Sequence, residues 1–174
     1  MSVSLAARVR DAALLEGDFV LSSGKRSNVY VDKYLFSTEP ELLRDLAGAL
    51  ARMLPQGVNR LAGVALGAVP LVVAVSLATG LPYVVVRKET KEYGTGRSVE
   101  GNLDVGDNVA LIEDVVTTGT QAVEAAGRLE ESGVEVLSIL AVLDRREGRT
   151  EPEIGGYPFK TVLEMADLRV DSNN

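Results

Sequence analysis

Apolar and polar positions follow two different spacings along this chain, and together they predict an α/β domain. Runs that are apolar on both faces are typical of strands buried in a parallel sheet. The stretch 109–112 is such a run, and strands are also predicted at 61–66, 81–86, 135–143 and 160–163. Apolar residues spaced three or four apart predict helices at 4–16, 40–54, 121–132 and from the turn at 67–70 to about residue 79. The alternation predicts a mostly parallel central sheet flanked by helices.

The N-terminal segment has a different pattern. Short β patterns at 19–21 and 29–31 lie on either side of a Ser-Gly turn, which predicts a hairpin. We expect this segment, mainly residues 1–35, to form a small hood beside the main sheet. No linker, repeat or low-complexity segment divides the 174 residues, so a single domain is predicted.

The strand at 109–112 leads into the most informative stretch of the chain. Glu113 and Asp114 are followed by a turn rich in hydroxyls and glycine, and then by a helical pattern with Thr120 as the expected N-cap and Gly133 as the expected stop. Free backbone N–H groups and the positive end of a helix make such a turn an anion site. Carboxylates directly before it suit a ligand with hydroxyls beside its phosphate, such as a ribose 5-phosphate. The GxxxxGK[ST] pattern of a general phosphate loop is absent.

A long stretch without apolar periodicity, 87–101, has the pattern of a functional lid or a disordered loop. Between 87 and 97 its basic residues outnumber its acidic ones, although the whole chain is acidic. The basic residues are Arg87, Lys88, Lys91 and Arg97, and the acidic ones are Glu89 and Glu92. A positive lid of this kind suits a diphosphate.

Composition excludes several functional classes. The chain has no Cys and no His, so disulfides, Cys or His metal ligation and Ser-His-Asp chemistry are excluded. A formal net charge of −7 argues against non-specific nucleic-acid binding. No apolar run approaches the roughly 20 residues of a membrane span, and the N-terminus lacks a signal-peptide pattern. We therefore expect a cytoplasmic protein without a membrane or nucleic-acid partner.

Four collinear stretches carry a resemblance to a known family. Glu113-Asp114-Val-Val-Thr-Thr-Gly-Thr resembles the phosphoribosyl-diphosphate (PRPP) signature of the type I phosphoribosyltransferases. The Ser-Gly turn with Tyr30 after it, the loop 87–101 and the Leu-Asp-Arg sequence that ends at Arg145 resemble the orotate phosphoribosyltransferases. The resemblance implies a single-domain type I phosphoribosyltransferase fold. It also implies transfer of 5-phosphoribosyl from PRPP to orotate, giving orotidine 5′-phosphate and pyrophosphate in pyrimidine (UMP) biosynthesis.

The resemblance further implies roles for individual residues. The catalytic residues would be Lys91, Glu113 and Asp114. PRPP would be bound by Gly67, Ala68, Arg87, Lys88, Lys91, Tyr93, Glu113, Asp114, Val115, Val116, Thr117, Thr118, Gly119, Thr120 and Gln121. Orotate would be bound by Ser22, Lys25, Tyr30, Thr117 and Arg145. Mg²⁺ is implied as a cofactor held mainly by substrate oxygens and water, so no protein metal site is assigned. A homodimer is implied, with the mobile loop 87–101 reaching the neighbouring active site.

The chain departs from the family pattern at three of these positions. Ser22 stands where many members have Lys, and Tyr93 stands where some have His. A tyrosine can donate one hydrogen bond but stays neutral near pH 7, so any proton delivery to the leaving group would fall on Lys91. Gly67 stands where some relatives have Lys, so we expect the pyrophosphate contact at that turn to come mainly from backbone N–H groups.

Three other functions share part of this sequence pattern. Within the class, a purine phosphoribosyltransferase is the first alternative, and Tyr30, the loop 87–101 and Arg145 argue against it. A catalytically silent regulator that binds PRPP or nucleotide is the second, and the presence of Lys91 and the absence of an added DNA-binding module argue against it. A dinucleotide-binding domain is the third, but no GxGxxG follows a strand.

Overall fold

Five parallel strands form the centre of the sheet in this computed structural model, which describes residues 3–20, 24, 26–88, 98–146, 148 and 151–169. The strands are β1 (Leu14–Val20), β2 (Arg26–Val31), β3 (Arg60–Val64), β4 (Tyr83–Val86), β5 (Val99–Glu100), β6 (Asn108–Val116), β7 (Glu135–Asp144), β8 (Glu153–Ile154) and β9 (Tyr157–Glu164). The helices are α1 (Leu5–Ala13), α2 (Lys33–Ser37), α3 (Pro40–Met53), α4 (Val69–Thr79), α5 (Thr120–Glu130) and a 3₁₀ helix, Met165–Leu168.

The strand order of the main sheet is β5-β4-β3-β6-β7-β9-β8. Strands β4, β3, β6, β7 and β9 pair in parallel, and the short strands β5 and β8 pair antiparallel at the two edges. Strands β1 and β2 form a separate antiparallel hairpin. The predicted α/β architecture, with a mostly parallel sheet flanked by helices, is confirmed.

The two faces of the sheet bury separate hydrophobic cores. Along β6, Val109 and Leu111 pack on the face covered by α5, whereas Ala110 and Ile112 pack on the face covered by α1, α3 and α4. This alternation follows from the period of two in a β-strand. Both faces are apolar because both are covered by helices, which explains the continuous apolar runs of the sequence.

Several predicted boundaries are wrong. The first helix ends at Ala13 rather than Glu16, because Leu14 to Glu16 pair with β2 as part of β1. Helix α2 has five residues, too few to show an apolar period, and it was not predicted. Strand β6 does not end before Glu113 but continues to Val116. The last part of the predicted loop 87–101 includes β5, which pairs with β4.

The helix after the acidic pair begins one residue earlier than predicted. Its N-cap is Gly119 rather than Thr120, and Thr120 is the first helical residue. Gly119 has a φ of +84°, and a β-carbon there would lie 2.4 Å from Cγ2 of Ile154. Both the backbone conformation and the close approach of Ile154 therefore require glycine. None of the helices in the described part of the chain is long and apolar enough to span a bilayer.

Candidate active site

The carboxyl ends of β3, β4, β6 and β7 meet at one edge of the sheet, where open α/β sheets bind ligands. Because these strands are parallel neighbours, residues that are far apart in sequence reach the same edge. The turn after β3 contains Gly67 and Ala68, and Arg87 and Lys88 follow β4. The acidic pair and the turn 117–119 lie at the end of β6, and Arg145 follows β7. This edge is the candidate active site.

The adjacent carboxylates Glu113 and Asp114 point to opposite faces of the sheet. Glu113 follows the alternation of Val109 and Leu111, toward the face that carries α5. Asp114 follows Ile112, toward the face that carries α4, and both carboxylates are buried. The pair therefore presents one carboxylate to each side of the sheet edge.

Asp114 is held in a tight cradle. Its Oδ1 accepts a hydrogen bond from the N–H of Val115 at 2.6 Å, and Nζ of Lys33 lies 2.8 Å from its Oδ2. The second contact is an ion pair by distance, but among the described residues Oδ2 has no partner with hydrogen-bond geometry. A β-carbon on Gly67 would lie 1.5 Å from Oδ2, so only glycine allows Asp114 this position. A buried acceptor without a hydrogen bond suits a ligand hydroxyl.

Two pKa values at the acidic pair are raised, which favours the neutral form of Glu113 and the charged form of Lys33. Burial, with the charge of Asp114 added, raises the pKa of Glu113 to about 8, although Lys88 and Lys33 partly offset the increase. Burial by itself would lower the pKa of Lys33, but the contact with Asp114 outweighs it and the pKa is raised. Burial thus favours the protonated form of Glu113 beside the ion pair of Lys33 and Asp114.

The N-terminus of α5 forms the predicted anion site. The N–H groups of its first turn have no partner within the helix, as at every helix start. Thr118 Oγ1 lies 3.0 Å from Thr120 Oγ1 and accepts a hydrogen bond from the N–H of Thr120 at 3.3 Å. The N-cap Gly119 contributes no side-chain bond. Backbone donors and two hydroxyls thus surround the start of this helix, close to the acidic pair in sequence and in space.

Arg145 and Arg146 follow β7 but differ in their surroundings. The guanidinium of Arg146 binds both carboxylate oxygens of Asp144, donates to the carbonyl oxygens of Glu151 and Glu153, and lies 4.5 Å from the ring centroid of Phe159. The N–H of Arg145 donates to the carbonyl oxygen of Val116 at 2.7 Å, which places it at the end of β6. Within the described residues, its guanidinium has no hydrogen bond or ion pair. Arg145 is therefore available for an anionic ligand, whereas Arg146 is a structural residue.

Arg87 and Lys88 line a cleft of about 250 Å³ on the α5 face of the sheet. The other lining residues are Val64, Gln121, Glu124, Ala125 and Arg128. Arg87 forms an ion pair with Glu100 at 2.8 Å, and its carbonyl oxygen accepts a hydrogen bond from Arg128. The structure thus brings the predicted basic pair next to Gln121 in the first turn of α5. The cleft and the Gly67 turn lie on opposite sides of β6, since α5 and α4 cover opposite faces.

The remaining predicted residues are placed only in part. Ser22, Lys25, Lys91 and Tyr93 lie outside the described residues. The ring centroid of Tyr30 on β2 lies 5.5 Å from that of Phe19. Tyr30 is 37% exposed, and no hydrogen bond or cation–π contact joins it to Arg145 within the described part of the chain. Lys33 was missed by the sequence analysis, because a single lysine after a short strand has no pattern that marks it.

The acidic side chains allow a test for a protein metal site. Within residues 3–20, 24, 26–88, 98–146, 148 and 151–169, no three of Asp, Glu, His or Cys come close enough to hold a metal ion. The donors at the sheet edge are the two carboxylates of Glu113 and Asp114. Because these two side chains point to opposite faces of the strand, at most one of them could contact a given cation. That arrangement fits a cation such as Mg²⁺, which would take most of its ligands from substrate phosphates and water.

Known proteins resemble this chain over nearly its whole length, although no family model matches it. The orotate phosphoribosyltransferase of Haloquadratum walsbyi is 45% identical over 172 residues, which cover 98% of this chain and 93% of the relative. That of Natronomonas pharaonis is 49% identical over 144 residues, which cover 82% of each chain. The Mycobacterium tuberculosis orotate phosphoribosyltransferase, in complex with Fe(III) dicitrate, superimposes with a TM-score of 0.83 at 29% identity, covering 95% of this chain and 97% of that one. The same enzyme with PRPP gives a TM-score of 0.78 at 30% identity, covering 94% and 96%.

Proposed function

The chain belongs to the orotate phosphoribosyltransferases, and on that premise we propose how its residues carry out the reaction of that family. The enzyme transfers the 5-phosphoribosyl group of PRPP to orotate, giving orotidine 5′-phosphate and pyrophosphate in pyrimidine biosynthesis. One observation carries the assignment of the site. A buried carboxylate oxygen, Oδ2 of Asp114, which contacts the ammonium group of Lys33 but has no partner with hydrogen-bond geometry among the described residues, lies a few residues before the N-terminus of α5. This pairing of a hydroxyl acceptor and a phosphate cradle suits a ribose 5-phosphate.

The 5-phosphate of PRPP binds at the start of α5 in this proposal. The backbone N–H groups of 117–121, the hydroxyls of Thr117, Thr118 and Thr120 and the positive end of the helix neutralise its charge. Gly119 adopts the left-handed conformation that shapes this turn, and Ile154 fills the space where a β-carbon would lie. Val115 and Val116 hold the end of β6 in register with β7, so the cradle is attached to a rigid strand.

Asp114 and Glu113 act on the ribose. Breaking the bond between C1 of the ribose and the pyrophosphate builds positive charge on the ring. Carboxylates that accept hydrogen bonds from the ribose hydroxyls position the sugar and stabilise that charge. Asp114 lies in an ion pair with Lys33 and can accept a ribose hydroxyl, whereas Glu113, whose pKa burial raises to about 8, acts in its ionised form.

The leaving pyrophosphate collects negative charge, and the proposal assigns basic groups to it. The turn of Gly67 and Ala68 is assigned to one side of the site, although the N–H of Ala68 already donates to the carbonyl oxygen of Val64. Arg87 and Lys88, which line the cleft beside α5, are assigned to the other side. Lys91 and Tyr93, from the loop 87–101, complete the set, and Lys91 is the proposed proton donor. Mg²⁺, bound mainly by substrate oxygens and water, supplies charge neutralisation of the diphosphate when present. No protein nucleophile is needed.

Orotate is proposed to bind through its carboxylate to Arg145. The planar guanidinium matches a carboxylate with two parallel hydrogen bonds, and Arg145 has no other partner among the described residues. Thr117 lies at the end of β6, next in sequence to Val116, whose carbonyl oxygen accepts from the N–H of Arg145. Tyr30, Ser22 and Lys25 from the hairpin are proposed to cover the base.

The quaternary arrangement and location are further parts of the proposal. We propose a cytoplasmic homodimer in which the loop 87–101 of one subunit reaches the active site of its neighbour, with residues 1–35 as the main part of a hood on a single domain. The support is the family to which the chain belongs.

The test of the proposed reaction is the loss of orotate ultraviolet absorbance after PRPP and Mg²⁺ are added. Adenine, hypoxanthine and uracil serve as parallel substrates. We expect turnover with orotate and with none of the other three bases. Turnover with another base would contradict the roles of Tyr30 and Arg145 while leaving the PRPP site in place. Binding of PRPP without turnover of any base would favour the regulatory alternative.

A further inference from the structure

A side chain from a distant part of the sequence occupies the space beside Gly67. A β-carbon at this position would lie 2.9 Å from Nζ of Lys33, so the ammonium group takes the volume that a side chain on the turn would fill. Lys33 is the first residue of α2, which follows directly from the hairpin. The N–H of Asp32 donates to the carbonyl oxygen of Ala13, and Asp32 Oδ1 accepts from the N–H of Tyr34, so the start of α2 is anchored on both sides.

The ammonium group has more donors than its contact with Asp114 uses. A lysine has three N–H donors and no acceptor. Oδ2 of Asp114 lies 2.8 Å away, and no other carboxylate of the described residues is within ion-pair distance. The Lys33 side chain is 32% exposed, whereas that of Asp114 is 5% exposed. Lys33 therefore lies between a buried carboxylate and the open edge of the sheet.

The turn beside Lys33 lies at the positive end of the eleven-residue helix α4, but several N–H groups there already have partners. The N–H groups of Ala68 and Val69 donate to the carbonyl oxygens of Val64 and Leu66, and Pro70 has no N–H. An anion at this turn would therefore depend on the helix end and on the ammonium group of Lys33. A helix start and an ammonium group together form a site for a doubly charged phosphate group.

We infer that Lys33 is a further substrate-binding residue, which donates a hydrogen bond to the diphosphate of PRPP at the turn of Gly67 and Ala68. The inference rests on the function proposed above, because it concerns the same site. Lys33 thus supplies from the hairpin side of the fold a cation that the turn itself lacks. The sequence predicted that the pyrophosphate contact at this turn comes mainly from backbone N–H groups, but the N–H of Ala68 donates to Val64, and Lys33 adds a side-chain donor.

The experiment measures equilibrium binding of inorganic pyrophosphate with Mg²⁺, of PRPP and of ribose 5-phosphate by calorimetry. The variants are Lys33→Met, Lys33→Gln and Lys33→Arg, with Lys160→Met as the matched control, since Lys160 is exposed on β9. For Lys33→Met and Lys33→Gln we expect PRPP and pyrophosphate to bind about ten-fold more weakly or worse, as for the loss of one charge-assisted hydrogen bond. Ribose 5-phosphate should change less than about three-fold, and Lys33→Arg should retain most of the pyrophosphate affinity.

The ribose 5-phosphate arm separates binding from a structural role. If Lys33 only holds Asp114 in place, its loss weakens ribose 5-phosphate as much as PRPP, and that result would overturn the inference. Unchanged affinity for PRPP and pyrophosphate in both neutral variants would overturn it too. Either outcome would refute the role of Lys33 without contradicting the proposed reaction of the wild-type protein. A wild-type protein that binds no PRPP would instead refute the proposed function itself. Using two neutral variants keeps the comparison possible if one of them does not fold.

Discussion

Gly67 and Asp114 are in such close contact that a β-carbon on Gly67 would fall 1.5 Å from Oδ2 of Asp114. Residues 47 positions apart in sequence, counting from 67 to 114, thus share one small volume at the edge of the sheet. Lys33 Nζ lies within 2.9 Å of the same β-carbon position. The turn after β3, the end of β6 and the start of α2 are consequently interdependent, and a change in one shifts the others.

Gly67→Ala is expected to displace the Asp114 carboxylate, because the added methyl group and Oδ2 cannot occupy the same space. We predict a fall in kcat/KM for PRPP of about ten-fold or more, with a loss of stability of roughly 1–3 kcal/mol from overpacking. Steady-state kinetics and urea unfolding measure the two effects. Gly127→Ala is the control: a β-carbon there has no neighbour within 4 Å, and alanine in a helix is stabilising. Wild-type kinetics in Gly67→Ala would show that the position of Asp114 is not critical.

Glu113→Gln is expected to change how stability depends on pH. The folded protein holds the proton of Glu113 up to a pKa of about 8, whereas a free carboxyl loses it near 4.5. The contribution of this carboxyl is most favourable below about pH 4.5, is lost as pH rises toward 8, and levels off above that value. The variant should therefore lose less stability than wild type between pH 5 and 8.5, by on the order of a few kcal/mol.

Urea unfolding at the two pH values measures this difference, and Glu135→Gln, an exposed carboxyl at the start of β7, is the control. In the reaction, the ionised form of Glu113 stabilises the positive ribose, so kcat/KM for PRPP should rise through a limb near pH 8 in wild type. Glu113→Gln should lack that limb. An identical pH profile in the two proteins would remove Glu113 from the catalytic description.

Arg145→Ala and Arg146→Ala are expected to have different effects. Loss of Arg145 should raise KM for orotate about ten-fold or more while PRPP changes little, because a bidentate contact with the orotate carboxylate is removed. Loss of Arg146 should lower the free energy of unfolding by about 3 kcal/mol, because it leaves the buried carboxylate of Asp144 without its partner. Steady-state kinetics with each substrate varied, together with urea unfolding, tests both. An equal loss for orotate and PRPP in Arg145→Ala would contradict its assignment.

Lys91→Ala is expected to lower turnover far more than it weakens PRPP binding, because several other groups of the proposed site also contact PRPP. Loss of a general acid typically costs about 100-fold or more in rate. The measurements are kcat with orotate and the Kd of PRPP by calorimetry, with Lys160→Ala as the control for loss of a lysine charge on the surface. Unchanged turnover would take the loop 87–101 out of the chemical step.

The sequence by itself determined the fold class and the order of the site elements. Apolar runs of strand length that alternate with helical spacing after residue 40 leave few arrangements other than a mostly parallel sheet between helices. The carboxyl ends of neighbouring strands in such a sheet share an edge, so the acidic pair, the turn at Gly67 and Arg145 could be predicted to meet. Each of these motifs lies within a short stretch of the chain, so its residue types can be recognised without knowledge of the tertiary structure.

Only the tertiary structure decided which side chains are in contact. Glu113 and Asp114 are adjacent in sequence, yet the strand continues through them and turns them to opposite faces, where burial raises the pKa of Glu113 and Lys33 pairs with Asp114. Arg145 and Arg146 look equivalent in sequence. In the folded protein the guanidinium of Arg146 binds the carboxylate of Asp144 and packs against Phe159 on β9. The physical reason is that periodicity records burial along one element, whereas ion pairs, steric fit and desolvation depend on elements that meet only after folding.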